Sequence, residues 1–163
     1  MNITVRKYTE NDVKRMTEIW NEVVAQGDAF PQENYLSDDA YLFFSSQTYC
    51  GVAVDNESNE ILGLYILHPN NIGRCGHISN ASYAVASDFR NMHIGQKLVS
   101  DCINIAPLYG FRILQFNAVV STNTAARHLY EKLGFIGLGT IKNGFRMNDG
   151  TYKDICPYYI QLK

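Results

Sequence analysis

Six consecutive residues, Arg90-Asn91-Met92-His93-Ile94-Gly95, have the composition and the setting to hold an anion. They follow a run of small and apolar residues from Asn80 to Val85, including Tyr83 and Ala84, that suits a buried strand. A polar turn, Ala86-Ser87-Asp88-Phe89, separates the two, and a helix continues through Gln96, Lys97, Leu98 and Val99. The first amides of a helix lack an intrahelical acceptor and carry the positive end of its dipole. A strand, loop and helix N-terminus in that order is therefore a natural seat for a pyrophosphate, held mostly by backbone N–H groups. A second set of residues is polar where strands are expected. Asn80 and Asn117 fall inside predicted strands, where asparagine is uncommon, and Gln115 shares a face with Asn117 by alternation. A carboxamide both donates and accepts, so it can hold an amine, a carboxylate or a carbonyl. The same residues could equally tie strands together.

Composition narrows the partners. The chain has 163 residues, 46% of them hydrophobic, enough for one good core and a single domain over residues 1–163. Fourteen basic against 16 acidic residues give no electrostatic case for nucleic acid or an anionic membrane. No stretch reaches the roughly 18 apolar residues of a membrane span, and Met1 to Val5 begins a strand rather than a signal peptide. Cys50, Cys75, Cys102 and Cys156 are scattered without metal-ligand spacing, as expected of reduced cysteines in a cytoplasmic protein that binds no metal.

The elements that must position these residues can be read from periodicity. Asn2 to Lys7 alternates as a strand. Thr9-Glu10-Asn11-Asp12 resembles a capping box for a helix with Val13, Met16, Ile19, Trp20, Val23 and Val24 on one stripe. The segment Gly27 to Asn34 breaks the pattern and is a candidate ligand-contacting loop, before a short helix at Ala40 to Ser45. Thr48 to Asp55 and Glu60 to His68 read as a hairpin, and His77 to Val85 as a third antiparallel strand. A helix from Ile94 to about Ala106 and a strand from Phe111 to Val120 follow. Asn123 caps a helix through Leu133 that Gly134 closes. Phe135 to Ile141, a turn-rich stretch from Lys142 to Gly150 and a last strand from Asp154 to Leu162 complete a mixed α/β sheet with helices on both faces.

Two of these stretches carry a family likeness. Arg90-x-x-His93-x-Gly95 resembles the Arg/Gln-x-x-Gly-x-Gly/Ala loop of the GCN5-related N-acetyltransferases (GNAT), with His93 in place of the first glycine. Glycine there allows unusual φ/ψ and close backbone approach, and histidine restricts both. Asn123 to Phe135 resembles the N-x-x-A-x-x-x-Y-x-x-x-G-F segment of the same enzymes, with Tyr130 as its tyrosine. The resemblance implies a single-domain GNAT fold with about seven strands, two of them parallel and splayed. It also implies acetyl-CoA as co-substrate, its pyrophosphate on Arg90 to Lys97 and its thioester carbonyl polarised by a strand N–H around Tyr83, Ala84 and Val85. The reaction would be direct attack by an amine, with Tyr130 donating to the departing thiolate and Asn123 contacting the pantetheine arm.

The base stays open at this level. The strand His77 to Val85 has no carboxylate, and His77, a water chain or a substrate arriving neutral are all admissible. The segments GDAFPQEN, HISNASYAV, QFNAVVSTN and LGFIGLGTI are similar to a subgroup acting on imino acids such as azetidine-2-carboxylate. That makes a small amino or imino acid the leading acceptor, with Asn80 and Asn117 in its pocket. Polyamines, aminoglycosides and protein amines are alternatives, kept open by Asp28, Glu33, Asp38 and Asp39. A non-catalytic acyl-CoA-binding module is another, kept open by His93 in place of glycine and by the missing carboxylate base. A homodimer is a further expectation, with Tyr152, Tyr158 and Tyr159 as candidates to cover a partner.

Overall fold

A computed structural model describes residues 1–163. The elements are β1 (Ile3–Lys7), α1 (Val13–Gln26), α2 (Ala40–Ser45), β2 (Tyr49–Asp55), β3 (Ile61–Pro69), β4 (Ile78–Val85) and α3 (Ile94–Ile105). They continue with β5 (Ile113–Phe116), α4 (Thr124–Lys132), β6 (Ile136–Gly137), β7 (Ile141–Arg146), β8 (Tyr152–Ile155) and β9 (Tyr158–Gln161). Seven strands form one sheet in the order β1-β2-β3-β4-β5-β9-β6, while β7 and β8 make a separate hairpin. All neighbours in the large sheet are antiparallel except β4 and β5.

Each face of the sheet buries its own core, because β2 and β3 send apolar side chains both ways. On one face Met16, Ile19, Trp20, Val23 and Val24 of α1 meet Leu64, Ile66 and Ala84. On the other, Leu98, Val99 and Cys102 of α3 meet Leu67, Ala81 and Leu114. Tyr65 on β3 ties α3 down by donating its hydroxyl to Asp101 at 2.7 Å. The helix α4 is fixed to β9 by a relay in which Arg127 Nε donates to the Tyr158 hydroxyl, which donates to Glu131, both at 3.0 Å.

Three expectations change at the C-terminal end. The predicted strand Phe111 to Val120 is regular only over Ile113–Phe116, because the residues after it pair elsewhere. Ser121 N–H donates to Asp154 O and Cys156 N–H to Val119 O, so the chain is drawn to the end of β8. The turn-rich stretch contains a strand, β7, whose Asn143 at φ 56° and Gly144 build an irregularity rather than a reversal. A Cβ on Gly144 would lie 2.5 Å from Ile155 Cγ1. The last predicted strand is two, since Pro157 has no N–H to give a ladder and separates β8 from β9. Of the aromatic residues proposed to cover a partner, Tyr158 is buried in the chain's own core, and Tyr152 is exposed.

Before α1, Thr9 N–H donates to the Asp12 carboxylate at 2.7 Å, the return half of the capping box, and a 3-10 turn precedes the helix. Arg6 donates two further bonds to Asp12, at 2.7 and 3.0 Å. Burial alone would raise the Asp12 pKa, but the bonds from Arg6 and Thr9 outweigh it and hold the carboxyl below its usual range. That stability is present above the unfolded carboxyl's pKa of about 4 and is lost as pH falls through the lower, folded value. Asp12→Ala is expected to destabilise the fold by about 2 kcal/mol at neutral pH. In urea titrations the gap between variant and parent should close in acid; a gap independent of pH would contradict the assignment.

Candidate active site

β4 pairs with β3 along its whole length, from Pro69↔Ser79 to Gly63↔Val85. With β5 it pairs over three residues only, ending at Asn80↔Gln115. Beyond Asn80 the two parallel strands part. Asn70 N–H donates to Ile78 O and Ala86 N–H to Leu62 O, so even-numbered residues of β4 direct their backbone groups to β3. By alternation Tyr83 and Val85 turn their amides to the edge that β5 has left. Ala84, expected beside them as a donor, is buried with its amide on the β3 side.

The wedge between the strands opens into a cavity of about 300 Å³, walled by Asn80 to Tyr83, by Phe116 to Val120 and by Tyr130. Ala29, Phe30, Pro31 and Gln32 close it from the loop after α1, so this loop is a wall of the site. Phe30 holds the loop in place against Trp20, with ring centroids 4.3 Å apart. Asn117 donates to Asn70 Oδ1 at 2.6 Å and accepts from Gln115 at 3.0 Å, so its carboxamide also ties β5 to the loop after β3. Asn80 makes no side-chain hydrogen bond within the protein. His68, which sequence reading passed over, stands on the same cavity wall, whereas His77 is exposed and lies on none of the cavities described here. No local signal marked His68: it ends a predicted strand, and only the register of β3 with β4 sets it beside Asn80.

Tyr130 reaches the cavity from α4, its ring 4.5 Å from that of Phe116 and its hydroxyl without a protein partner. Burial pushes its pKa up and keeps it protonated. Asn123 caps α4 by accepting from Ala126 N–H at 3.2 Å, which leaves its amide nitrogen for the cavity wall. The Tyr83 hydroxyl is buried without a hydrogen-bond partner. Cys102 lies behind it, and burial pushes that thiol up to about 12, which rules it out as a neutral-pH nucleophile.

The second cavity, about 660 Å³, lies between the N-terminus of α3 and the face of α4. Val85, Arg90, Asn91, His93, Gly95 and Gln96 line it from one side. His128 and Lys132, not anticipated from sequence, line it from α4, one turn apart on one face. Its charged walls are basic, and no Asp or Glu lines it. Met92 and Lys97 project elsewhere, Lys97 onto a neighbouring surface depression, and the Ile94 side chain is buried in the core. These three can serve an anion only through their amides. His93 occupies the left-handed region at φ 59°, as does Asn91 at 62°. Histidine and asparagine are among the few non-glycine residues that adopt it with any frequency, so His93 performs glycine's backbone role. A Cβ on Gly95 would meet only Leu129, at 4.0 Å, so nothing in the protein demands glycine there.

A third cavity, about 370 Å³, joins the two, sharing Tyr83 and Asn123 with the first and Val85 and Arg90 with the second. A cavity with basic walls thus adjoins, by way of a third, a neutral polar cleft. Comparison with known proteins fits this layout. Residues 14–135 match the acetyltransferase (GNAT) family, and the chain belongs to it. The N-acetyltransferase aca1 of Schizosaccharomyces pombe is 28% identical over 157 residues, covering 86% of this chain and 75% of that one. A GCN5-related N-acetyltransferase from Kribbella flavida superposes with a TM-score of 0.89 at 30% identity, covering 98% of each chain. A phosphinothricin acetyltransferase from Sinorhizobium meliloti, solved in complex with acetyl-CoA, has the same fold at 23% identity (TM-score 0.90, 99% of this chain and 89% of that one).

Two substitutions test the cradle. Gly95→Val should weaken acetyl-CoA binding by calorimetry at least about tenfold, because its side chain enters the phosphate space. His93→Gly should keep the affinity within about threefold, since glycine adopts the same left-handed backbone freely. A large loss on His93→Gly would make the imidazole itself a ligand contact.

Proposed function

We propose that this chain is an acetyl-CoA-dependent N-acetyltransferase that acetylates a primary or secondary amine of a small molecule by direct attack. The observation that carries this reading is the row of three adjoining cavities from the basic N-terminus of α3 to the neutral cleft. The amides of the Arg90–Gly95 loop, with Arg90 and Lys132, hold the pyrophosphate and neighbouring phosphate charge. Asn123 offers its amide nitrogen to the pantetheine arm. The free N–H groups of Tyr83 and Val85 polarise the thioester carbonyl and receive the negative charge that develops on it. Tyr130 gives a proton to the departing thiolate. Fixing both reactants in one wedge supplies a large part of the rate.

The acceptor side favours a small, weakly charged molecule. No Asp, Glu, Lys or Arg lines the cleft. A polyamine or aminoglycoside would meet none of the carboxylates that such cations need, and Asp28 lies only on the joining cavity. Asn80 and Asn117 suit an amino or imino acid, such as azetidine-2-carboxylate, whose carboxylate can accept from carboxamides. Four unpaired cysteines, three of them buried, support a reducing, cytoplasmic setting for a single-domain enzyme. A binding module without turnover would have no use for a protonated, partnerless tyrosine hydroxyl in the wedge.

Thiol release from acetyl-CoA, followed with a panel of amino acids, imino acids, polyamines and aminoglycosides, tests the reading. Turnover should be greatest with a small amino or imino acid. Tyr130→Phe should lower kcat about 100-fold while leaving the acetyl-CoA Kd within about twofold. Equal losses in both would take the proton-donor role away from Tyr130.

A further inference from the structure

A row of polar side chains crosses the sheet beside the wedge. His68 on β3 is paired with Asn80 on β4, and Asn80 with Gln115 on β5, so all three stand on one face. Gln115 in turn donates to Asn117. His68 is the only imidazole on the cleft wall, and no carboxylate shares that wall. Its Nδ1 lies 2.9 Å from the carbonyl oxygen of Pro69. A carbonyl oxygen has no proton to give, so Nδ1 carries the hydrogen and donates it. In the neutral ring the lone pair is therefore on Nε2.

We propose that His68 is the base that deprotonates the acceptor ammonium, an inference that rests on the acetyltransferase reading above. Nε2 takes one proton from the ammonium and passes it to solvent. The freed nitrogen lone pair forms the N–C bond to the thioester carbonyl carbon, and the C–S bond breaks with its electron pair leaving on sulfur. The Tyr130 proton goes to that sulfur, and the remaining excess proton on nitrogen restores Tyr130. Net products are the amide, the free thiol and one proton released.

Three features assign the work to His68 rather than to another group. The Pro69 carbonyl fixes the ring's tautomer and orientation, as a base requires. The other polar groups that line the cleft are uncharged at neutral pH, among them Asn80 and Tyr83 from β4, Asn117 after β5, Gln32 from the loop after α1, and Tyr130 from α4. Both tyrosine hydroxyls are pushed up by burial, so neither competes for the proton. His77, the sequence-level candidate, lies outside the cleft. The sheet register is what brings His68 to Asn80, and the sequence pattern alone does not reveal it.

The test is a pH profile of kcat at saturating acetyl-CoA, with the best acceptor from the panel, for the parent and His68→Gln. Parent kcat should rise with pH and then level off, as a single titrating base predicts. His68→Gln should lose at least about 100-fold at neutral pH and climb tenfold per pH unit without a plateau, with acetyl-CoA Kd unchanged. A variant with the parent's kcat and profile, or one raised only in acceptor KM, would overturn the assignment and leave the acetyltransferase reading standing. A parent that acetylates no amine in the panel would overturn both.

Discussion

The parting of β4 from β5 is the constraint on which the site depends. It arises from competition for backbone hydrogen bonds. Residues Val119 to Ser121 bond to Asp154 and Cys156, and Val120 bridges Ile155, so they cannot extend the ladder to β4. A small core of Val120, Phe145 and Ile155 holds them there. The β7–β8 hairpin therefore does more than decorate the sheet. It pulls one wall of the wedge outward and leaves the amides of Tyr83 and Val85 without sheet partners. In a folded protein such donors are tolerated where a solvent or a ligand can meet them. The same hairpin reaches the opposite wall, since Arg146 pairs with Glu33 and Asn148 donates to Gln26 O next to the loop after α1.

The two ends of the trough are built on different electrostatics. Around α3 the helix N-terminus, Arg90 and Lys132 all favour negative charge. In the cleft, ionised side chains are absent from the walls, and carboxamides, hydroxyls and one imidazole remain. Positive charge is thus kept apart from a cleft whose walls carry none, where hydrogen bonds meet no competing side-chain charge. Anchoring each helix to the sheet keeps the ends in register: α3 through Tyr65 and Asp101, α4 through Arg127, Tyr158 and Glu131.

Much of this was legible in the residue order because local signals and burial agree. The stripe on α1, the Asn123 cap, the short helix at Ala40 and the three central strands follow from periodicity and turn chemistry. The turn into α3 was legible because a loop before a helix N-terminus is a local object. The failures share a cause, which is dependence on partners distant in sequence. The end of β5 is set by residues near Asp154, about as far away as the β8 hairpin, and no property of Phe116 announces it. Asn143 and Gly144 look like a turn, and only pairing with β8 reveals a bulged strand. His68 and Lys132 join the site through strand register and helix docking, which a linear pattern does not encode.

Catalysis by this route requires that the donor's phosphates meet the Arg90–Gly95 amides while its thioester reaches the free edge of β4. Amide hydrogen exchange with and without acetyl-CoA reads both at once. Slower exchange confined to the Arg90–Lys97 turn, to Tyr83 and Val85, and to the start of α4 is the predicted result. Protection that leaves those amides untouched and appears elsewhere, for instance on the outer strands β6 and β9, would contradict it.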